Sequence, residues 1–231
     1  MKLISFFLQR VRIFRGLSQR YAEILCACCE KYSGKLGISC SFLCILAIMK
    51  NNVIRIRPAE AADAPFVALA VLMALHYDET HPMYDVFKVL AARKDTQYSY
   101  CNALVAEVEG IVAGAIVGYD GARLYELREP LLVLIREREG RELEIEDETS
   151  AGEFYLDSLA VLPQYRGCGV GRMLLSAAAE RAFAAGHERV GLIVDFDNPR
   201  AEALYSSLGF KRVNPTTFLG HNMWHMQKRK A

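Results

Sequence analysis

Nine residues constrain this chain more than any others: Gln164-Tyr165-Arg166-Gly167-Cys168-Gly169-Val170-Gly171-Arg172. An apolar run, Phe154 to Leu162, precedes them and reads as a strand, and Met173 to Ala185 follows with helical spacing. A strand that passes through a glycine-rich turn into a helix start leaves several backbone N–H groups unpaired and aimed at one place. The helix dipole adds positive potential there. Glycines at 167, 169 and 171 keep side chains out of that place, and Arg166 and Arg172 flank it with fixed charge. The first inference is a ligand that carries phosphates, a pyrophosphate above all.

Three loops of this kind compete. A P-loop ends in Gly-Lys-Ser/Thr, so that a lysine reaches the outer phosphates and a hydroxyl holds magnesium. Here the end is Gly171-Arg172-Met173, which argues against a nucleotide triphosphatase. A dinucleotide fingerprint needs G-x-G-x-x-G. Counted from Gly167 its last glycine falls on Arg172, and from Gly169 on Leu174, so both registers fail. The third loop fits: Arg166-Gly167-Cys168-Gly169-Val170-Gly171 resembles the Q/R-x-x-G-x-G/A signature of the Gcn5-related N-acetyltransferases. A second segment strengthens the resemblance. Asn198-Pro199-Arg200-Ala201-Glu202-Ala203-Leu204-Tyr205-Ser206-Ser207-Leu208-Gly209-Phe210 is similar to the family's N-x-x-A-x-x-L-Y-x-x-x-G-F segment. A helix, a Gly186 stop and a strand (Val190 to Val194) separate the two, and the likeness spans residues 53 to 228.

That resemblance implies an α/β fold: a mixed, twisted central sheet flanked by helices. The rest of the sequence suits it. Val53 to Arg57 alternates as a first strand, and Glu60 to Leu75 and Tyr84 to Arg93 read as helices. Ala103 to Val108 and Ile111 to Val117 flank the hairpin signal Glu109-Gly110. Ala122 to Arg138 reads as a helix, and the highly charged Arg141 to Thr149 as a solvated loop or short strand. Phe210 to Val213 and Asn222 to Gln227 read as the last strands. The connection from Tyr119 to Gly152 exceeds what a hairpin needs. The resemblance implies that such a segment lies over the acceptor site, which places substrate selectivity there and in the first two helices.

Composition excludes other classes. The chain has 231 residues, 28 Lys/Arg and 27 Asp/Glu, a balance with no case for nucleic acid. Residues 1–48 hold seven of the basic and two of the acidic residues, which leaves residues 49–231 at −4. Five of seven cysteines precede residue 45, and Cys26-Ala27-Cys28-Cys29 has no matching pair or histidine near it. His76, His81, His187, His221 and His225 are scattered, so no metal is expected, and His187 after Gly186 reads as a helix end. Leu36 to Met49 is apolar over 14 residues, against the roughly 20 that a membrane helix needs. We expect residues 1–48 to be an extension, with Met49 as the favoured true start and 49–231 as one cytoplasmic domain.

The resemblance assigns the site residue by residue. It implies acetyl-CoA as co-substrate, with the pyrophosphate on Arg166, Gly167, Cys168, Gly169, Val170, Gly171 and Arg172. Cys168 occupies a variable position of the signature and reads as a bystander thiol. The backbone of Leu159, Ala160 and Val161 would pair with the coenzyme arm, and Asn198 would touch it while also suiting a helix N-cap before Pro199. Tyr205 stands where the family protonates the departing thiolate. An alkyl amine, with a pKa of about 10, arrives protonated and needs a base. Glu153 and Asp157 compete for that role: with Tyr155 they share one strand face by its period of two. Glu153 matches the catalytic glutamate of some histone-type members, and Asp157 lies nearer the thioester position. The expected partner is an amine, on a small molecule or on a peptide or protein, and family members often form homodimers. A non-catalytic acyl-CoA sensor of the same fold is the alternative.

Overall fold

The computed structural model describes residues 53–230, so the expectations for residues 1–48 and for a start at Met49 lie outside the described residues. Strands β1 (Ile54–Pro58), β2 (Ala103–Val108) and β3 (Ile111–Asp120) form an antiparallel meander. Glu109 and Gly110 both take positive φ, 54° and 79°, the conformation that a two-residue turn needs to match strand twist. Strand β4 (Phe154–Val161) pairs antiparallel with β3 and parallel with β5 (Arg189–Asp195). Strands β6 (Lys211–Phe218) and β7 (His221–Arg229) complete a seven-stranded sheet in the order β1-β2-β3-β4-β5-β7-β6.

Helices cover both faces. On one, α1 (Ala64–Ala74), α2 (Met83–Ala92) and α3 (Leu124–Glu139) bury Val67, Val71, Leu90 and Leu131 against Val105, Ala115 and Val117. Helix α1 is apolar all round because it packs on the sheet and on α2 at once. On the other face, α4 (Val170–Ala184) and α5 (Pro199–Ser207) cover a core that includes Leu174, Leu175, Ile116, Leu156 and Leu192. Each such side chain contributes about 1.5–3 kcal/mol on burial.

The mixed sheet is as expected, with four differences of detail. Helix α4 begins at Val170 and not at Met173, because Gly169 at φ 88° caps it and the glycine turn feeds straight into the first helical residue. Strand β3 runs on past Val117 to Asp120. Strand β6 extends to Phe218, and it tolerates Pro215 because it is the edge of the sheet. The stretch Arg141 to Thr149 has no helix or strand, yet it is not solvated throughout. Leu143 and Ile145 pack against the α1–α3 core, and Glu148 and Thr149 are buried.

Two irregularities shape the site. The register of β3 on β4 steps from Val117–Ser158 to Gly118–Leu156, which leaves Asp157 as a bulged residue with no Cα partner. Leu156 and Leu159 both join the core under α4, so Asp157 and Ser158 between them turn to the α1–α3 face. Beside this bulge, β4 and β5 pair only at Phe154–Val190 and Tyr155–Gly191. From Leu156 onward that edge of β4 has no strand partner, while β5 stays paired to β7 as far as Asp195.

Candidate active site

The opening between β4 and β5 has the glycine turn at its mouth. Arg166, five residues beyond the end of β4, donates from Nε to the Val161 carbonyl at 3.0 Å and ties the turn to the strand end. Gly167 and Gly169 take φ of 80° and 88°, and no atom lies within 4 Å of where a Cβ would sit on either. Gly171 lies inside α4, where a Cβ would meet only Val161 and Leu159 at ordinary contact distance. The first backbone amide with a helical acceptor is Met173, which donates to the Gly169 carbonyl at 3.1 Å. The amides of residues 167 to 172 find no acceptor among the described residues, and no side chain caps the helix. The turn is an open cradle of N–H groups at a helix start, which fits an anion. Arg172 reaches across to α5, donating from Nη2 to Ser207 Oγ at 2.8 Å.

On the α5 side, Asn198 accepts from the Ala201 amide at 3.1 Å and caps the helix ahead of Pro199. Tyr205 packs edge-on against Phe210 and belongs to the core under α4 and α5. Burial pushes its phenol pKa up, so the hydroxyl keeps its proton, and it makes no hydrogen bond among the described residues.

The two acids on the opposite face have contrasting surroundings. Glu153 is buried and saturated: Thr149 Oγ1 donates to it at 2.8 Å, Gln227 Nε2 at 2.7 Å, and His225 Nε2 lies 3.0 and 3.1 Å from its two oxygens. Burial alone would raise its pKa, but the hydrogen bonds and the His225 contact together hold it below the usual carboxylate range. A Cβ at Gly191 would run into this carboxylate, so the glycine lets Glu153 lie across β5 and reach β7. Asp157 is half-buried. Ser158 Oγ donates to its Oδ1 at 2.6 Å, and Tyr119 and Gln97 approach Oδ2 at 3.2 and 3.4 Å. Here desolvation wins and the pKa is raised.

Behind Asp157 stands a buried polar group that sequence reasoning missed. The Tyr119 hydroxyl also lies 3.0 Å from Glu148 Oε1. The other Glu148 oxygen forms a close ion pair with Arg128 of α3, which also bonds Asp147 and the carbonyls of Ile145 and Glu146. Burial, then the charge of Asp157, pushes Glu148 up to about 7. Two buried atoms here, Gln97 Oε1 and Arg128 Nε, lack a partner among the described residues. One signal could have found the group. Leu124, Leu127, Leu131 and Ile135 form the buried stripe of α3, and Arg128 occupies a position in that stripe. A charge there demands a buried counter-ion.

A family model described as the acetyltransferase (GNAT) family matches residues 69–210. The chain belongs to that family. A crystal structure of an acetyltransferase is 38% identical with a TM-score of 0.65, over 76% of this chain and 98% of that one. The Salmonella typhimurium protein yncA, solved with its cofactor acetyl-CoA, is 22% identical with a TM-score of 0.52, over 77% and 94%, and shows the fold alone. Mycothiol acetyltransferase of Kocuria rhizophila is 42% identical over 66 residues, 29% of this chain. The chain spans about a fifth of that relative's length, 21%. Among the described residues no helix is long and apolar enough to cross a membrane, and no group of His, Cys, Asp and Glu could hold a metal.

Proposed function

We propose that this GNAT member is an acetyl-CoA-dependent N-acetyltransferase that moves an acetyl group to a primary amine by direct attack, without a covalent enzyme intermediate. One observation carries the reading: the β4–β5 opening has an anion cradle at its mouth and the raised acid Asp157 just beyond its last strand pair. In this reading the amides of residues 167 to 172, with Arg166 and Arg172, hold the pyrophosphate. The unpaired edge of β4 at Leu159, Ala160 and Val161 takes the coenzyme arm as an added strand, with Asn198 beside it. Acetyl-CoA supplies an acetyl thioester when bound. Asp157 takes the proton of the incoming amine, and a β4 backbone N–H polarises the acetyl carbonyl. Tyr205, from the opposite face of the sheet, gives its proton to the departing sulfur. Acid and base therefore come from opposite faces of the sheet, so separate groups take the amine proton and protonate the thiolate that the tetrahedral intermediate expels.

Glu153 is assigned a different task. Its saturated carboxylate has no free lone pair aimed at an acceptor, and we read it as the clamp that fixes β4 to β7 at the closed end of the opening. The mildly acidic charge of residues 49–231 suits a cationic amine acceptor, free or on a peptide. The short match to mycothiol acetyltransferases does not carry their acceptor over. A cytoplasmic homodimer is the setting the family resemblance suggests.

The test is thiol release from acetyl-CoA against a panel of amines, preceded by calorimetric titration of acetyl-CoA. Binding with amine-dependent release supports the reading, and Tyr205→Phe should then lower kcat about 100-fold with binding unchanged. Binding without release on any small amine or peptide amine would replace the enzyme with an acyl-CoA sensor.

A further inference from the structure

We propose that Asp157, Tyr119 and Glu148 act as one proton-holding unit, in which the Tyr119 hydroxyl passes a proton from the half-buried Asp157 to the buried Glu148. The use of this unit rests on the acetyltransferase reading above; its existence does not.

The argument starts from counting protons. A phenol has one, and Tyr119 faces two carboxylates, 3.0 Å from Glu148 Oε1 and 3.2 Å from Asp157 Oδ2. With both acids ionised, one of those contacts sets lone pair against lone pair. A single added proton completes the chain, since whichever acid holds it donates to the Tyr119 oxygen while Tyr119 donates to the other. Charge leads to the same state. Arg128 is the cation in contact with Glu148. With one proton on the pair, Asp157, Glu148 and Arg128 sum to zero; with none they carry a net negative charge in a desolvated place, to which Asp147 on the outer side of Arg128 adds.

The remaining groups that face the unit are uncharged or lie outside it. They are the Tyr98 and Tyr155 phenols, which burial and the nearby acids keep protonated, and the Ser158 hydroxyl. Asp147 lies on the outer side of Arg128, and Glu153 bears on Tyr155. Gln97 fits too. Its Oε1 is buried and unpaired while its amide nitrogen lies 3.4 Å from Asp157 Oδ2, and a half-turn of the amide would offer a protonated Asp157 an acceptor.

In use, the relay starts from the proton-free form of the unit, with Asp157 and Glu148 both ionised, the form populated above the step near pH 7. An N–H bond of the bound ammonium breaks and its proton goes to Asp157 Oδ2. Asp157 passes that proton to the Tyr119 oxygen as Tyr119 passes its own to Glu148 Oε1. The amine is left neutral beside an Asp157 that is ionised again. After turnover the proton leaves by the same path, out through Asp157, the less buried of the two acids. Glu148 and Tyr119 are thus positioning residues that act through Asp157.

Carboxyl carbon NMR titration of the free protein tests the unit without turnover. Wild-type protein should show one carboxyl group titrating near pH 7, the value to which Glu148 is pushed. Glu148→Gln should remove that step and move the remaining Asp157 titration down by at least about one pH unit. The acidic limb of kcat/KM should move with it. Should Glu148→Gln not fold, Tyr119→Phe keeps both acids and the Arg128 pair. It should lower kcat about tenfold or more at pH 7 and leave the KM for acetyl-CoA within about twofold. Both acids titrating at or below about pH 5 in wild-type protein would overturn the proposal, as would a step near pH 7 that survives Glu148→Gln. An intact step near pH 7 in a protein that acetylates no amine would instead sink the acetyltransferase reading and leave the unit standing.

Discussion

On the α4 side of the β4–β5 opening the anion site is built mainly of backbone amides, and on the α3 side the proton-handling site is built of side chains. The first site is open, is tied to the end of β4 through Arg166, and comes from six consecutive residues, 167 to 172. The second is buried and is assembled from β3, β4, α3 and the chain before β4 by way of Tyr119, Asp157, Arg128 and Glu148. The difference follows from what each must do. An anion is held well by N–H groups that never titrate, so the amide cradle works at any pH. Moving a proton near neutrality needs a group with an adjustable pKa, and only burial and neighbouring charge can raise a carboxyl that far.

The largest effect tests the amide site. Gly169→Glu puts a carboxylate into the cradle at a residue whose φ is 88° and around which there is open space for the side chain. The fold should survive, with a cost of about 1–2 kcal/mol for the left-handed backbone. Acetyl-CoA affinity, measured by calorimetry, should fall at least about 100-fold, from anion repulsion and a blocked cradle. Undiminished binding would mean that the phosphates lie elsewhere and the comparison fails on its stronger side.

A paired substitution sharpens the side-chain half. Asp157→Asn should lower kcat about 100-fold. It should not destabilise the protein at pH 7. A carboxyl with a raised pKa costs stability as pH climbs through and above its unfolded range, and the amide escapes that cost. Glu153→Gln should do the reverse. Its depressed pKa contributes stability that is present above the unfolded value and lost as pH falls through the folded one. Thermal melting should therefore show a loss at pH 7 that fades in acid, with a kcat change of less than about tenfold. If Glu153→Gln abolished turnover in a stable protein, the roles assigned to the two acids would be exchanged.

How much of this the sequence discloses differs in the same way. Glycines at fixed spacing after an apolar strand are local instructions, so the turn, the presence of the helix it opens (though not its first residue) and the Asn198 cap are readable in the sequence. The sheet followed from alternation, as Glu109-Gly110 and the strands around it show. The bulge at Asp157 could not be read, because a one-residue step in register depends on the partner strand and leaves no local mark. Glu148 was hidden for another reason. It sits in a run of alternating acids, Glu142, Glu144 and Glu146, and its burial is decided by Arg128 twenty residues earlier. Period alone placed Glu153, Tyr155 and Asp157 on one face but said nothing of the His225 and Gln227 contacts from β7 that separate the two acids chemically.

The smallest expected effect is the most pointed check on a site made of backbone. Cys168 sits in the middle of the cradle with an exposed thiol, whose hydrogen-bond contact among the described residues is the Arg166 carbonyl, at 3.8 Å. If the amides do the binding, the side chain between them is immaterial. Cys168→Ser keeps a small polar group of similar reach and the same backbone preference for the turn. Both kcat and the KM for acetyl-CoA should stay within about twofold, and stability should not change by more than about 0.5 kcal/mol, as is usual for exposed sites. A tenfold rise in KM would show that the thiol touches the ligand. The thiol would then join Arg166 and Arg172 among the side chains that hold the phosphates, and the cradle would no longer be amide-built at its centre.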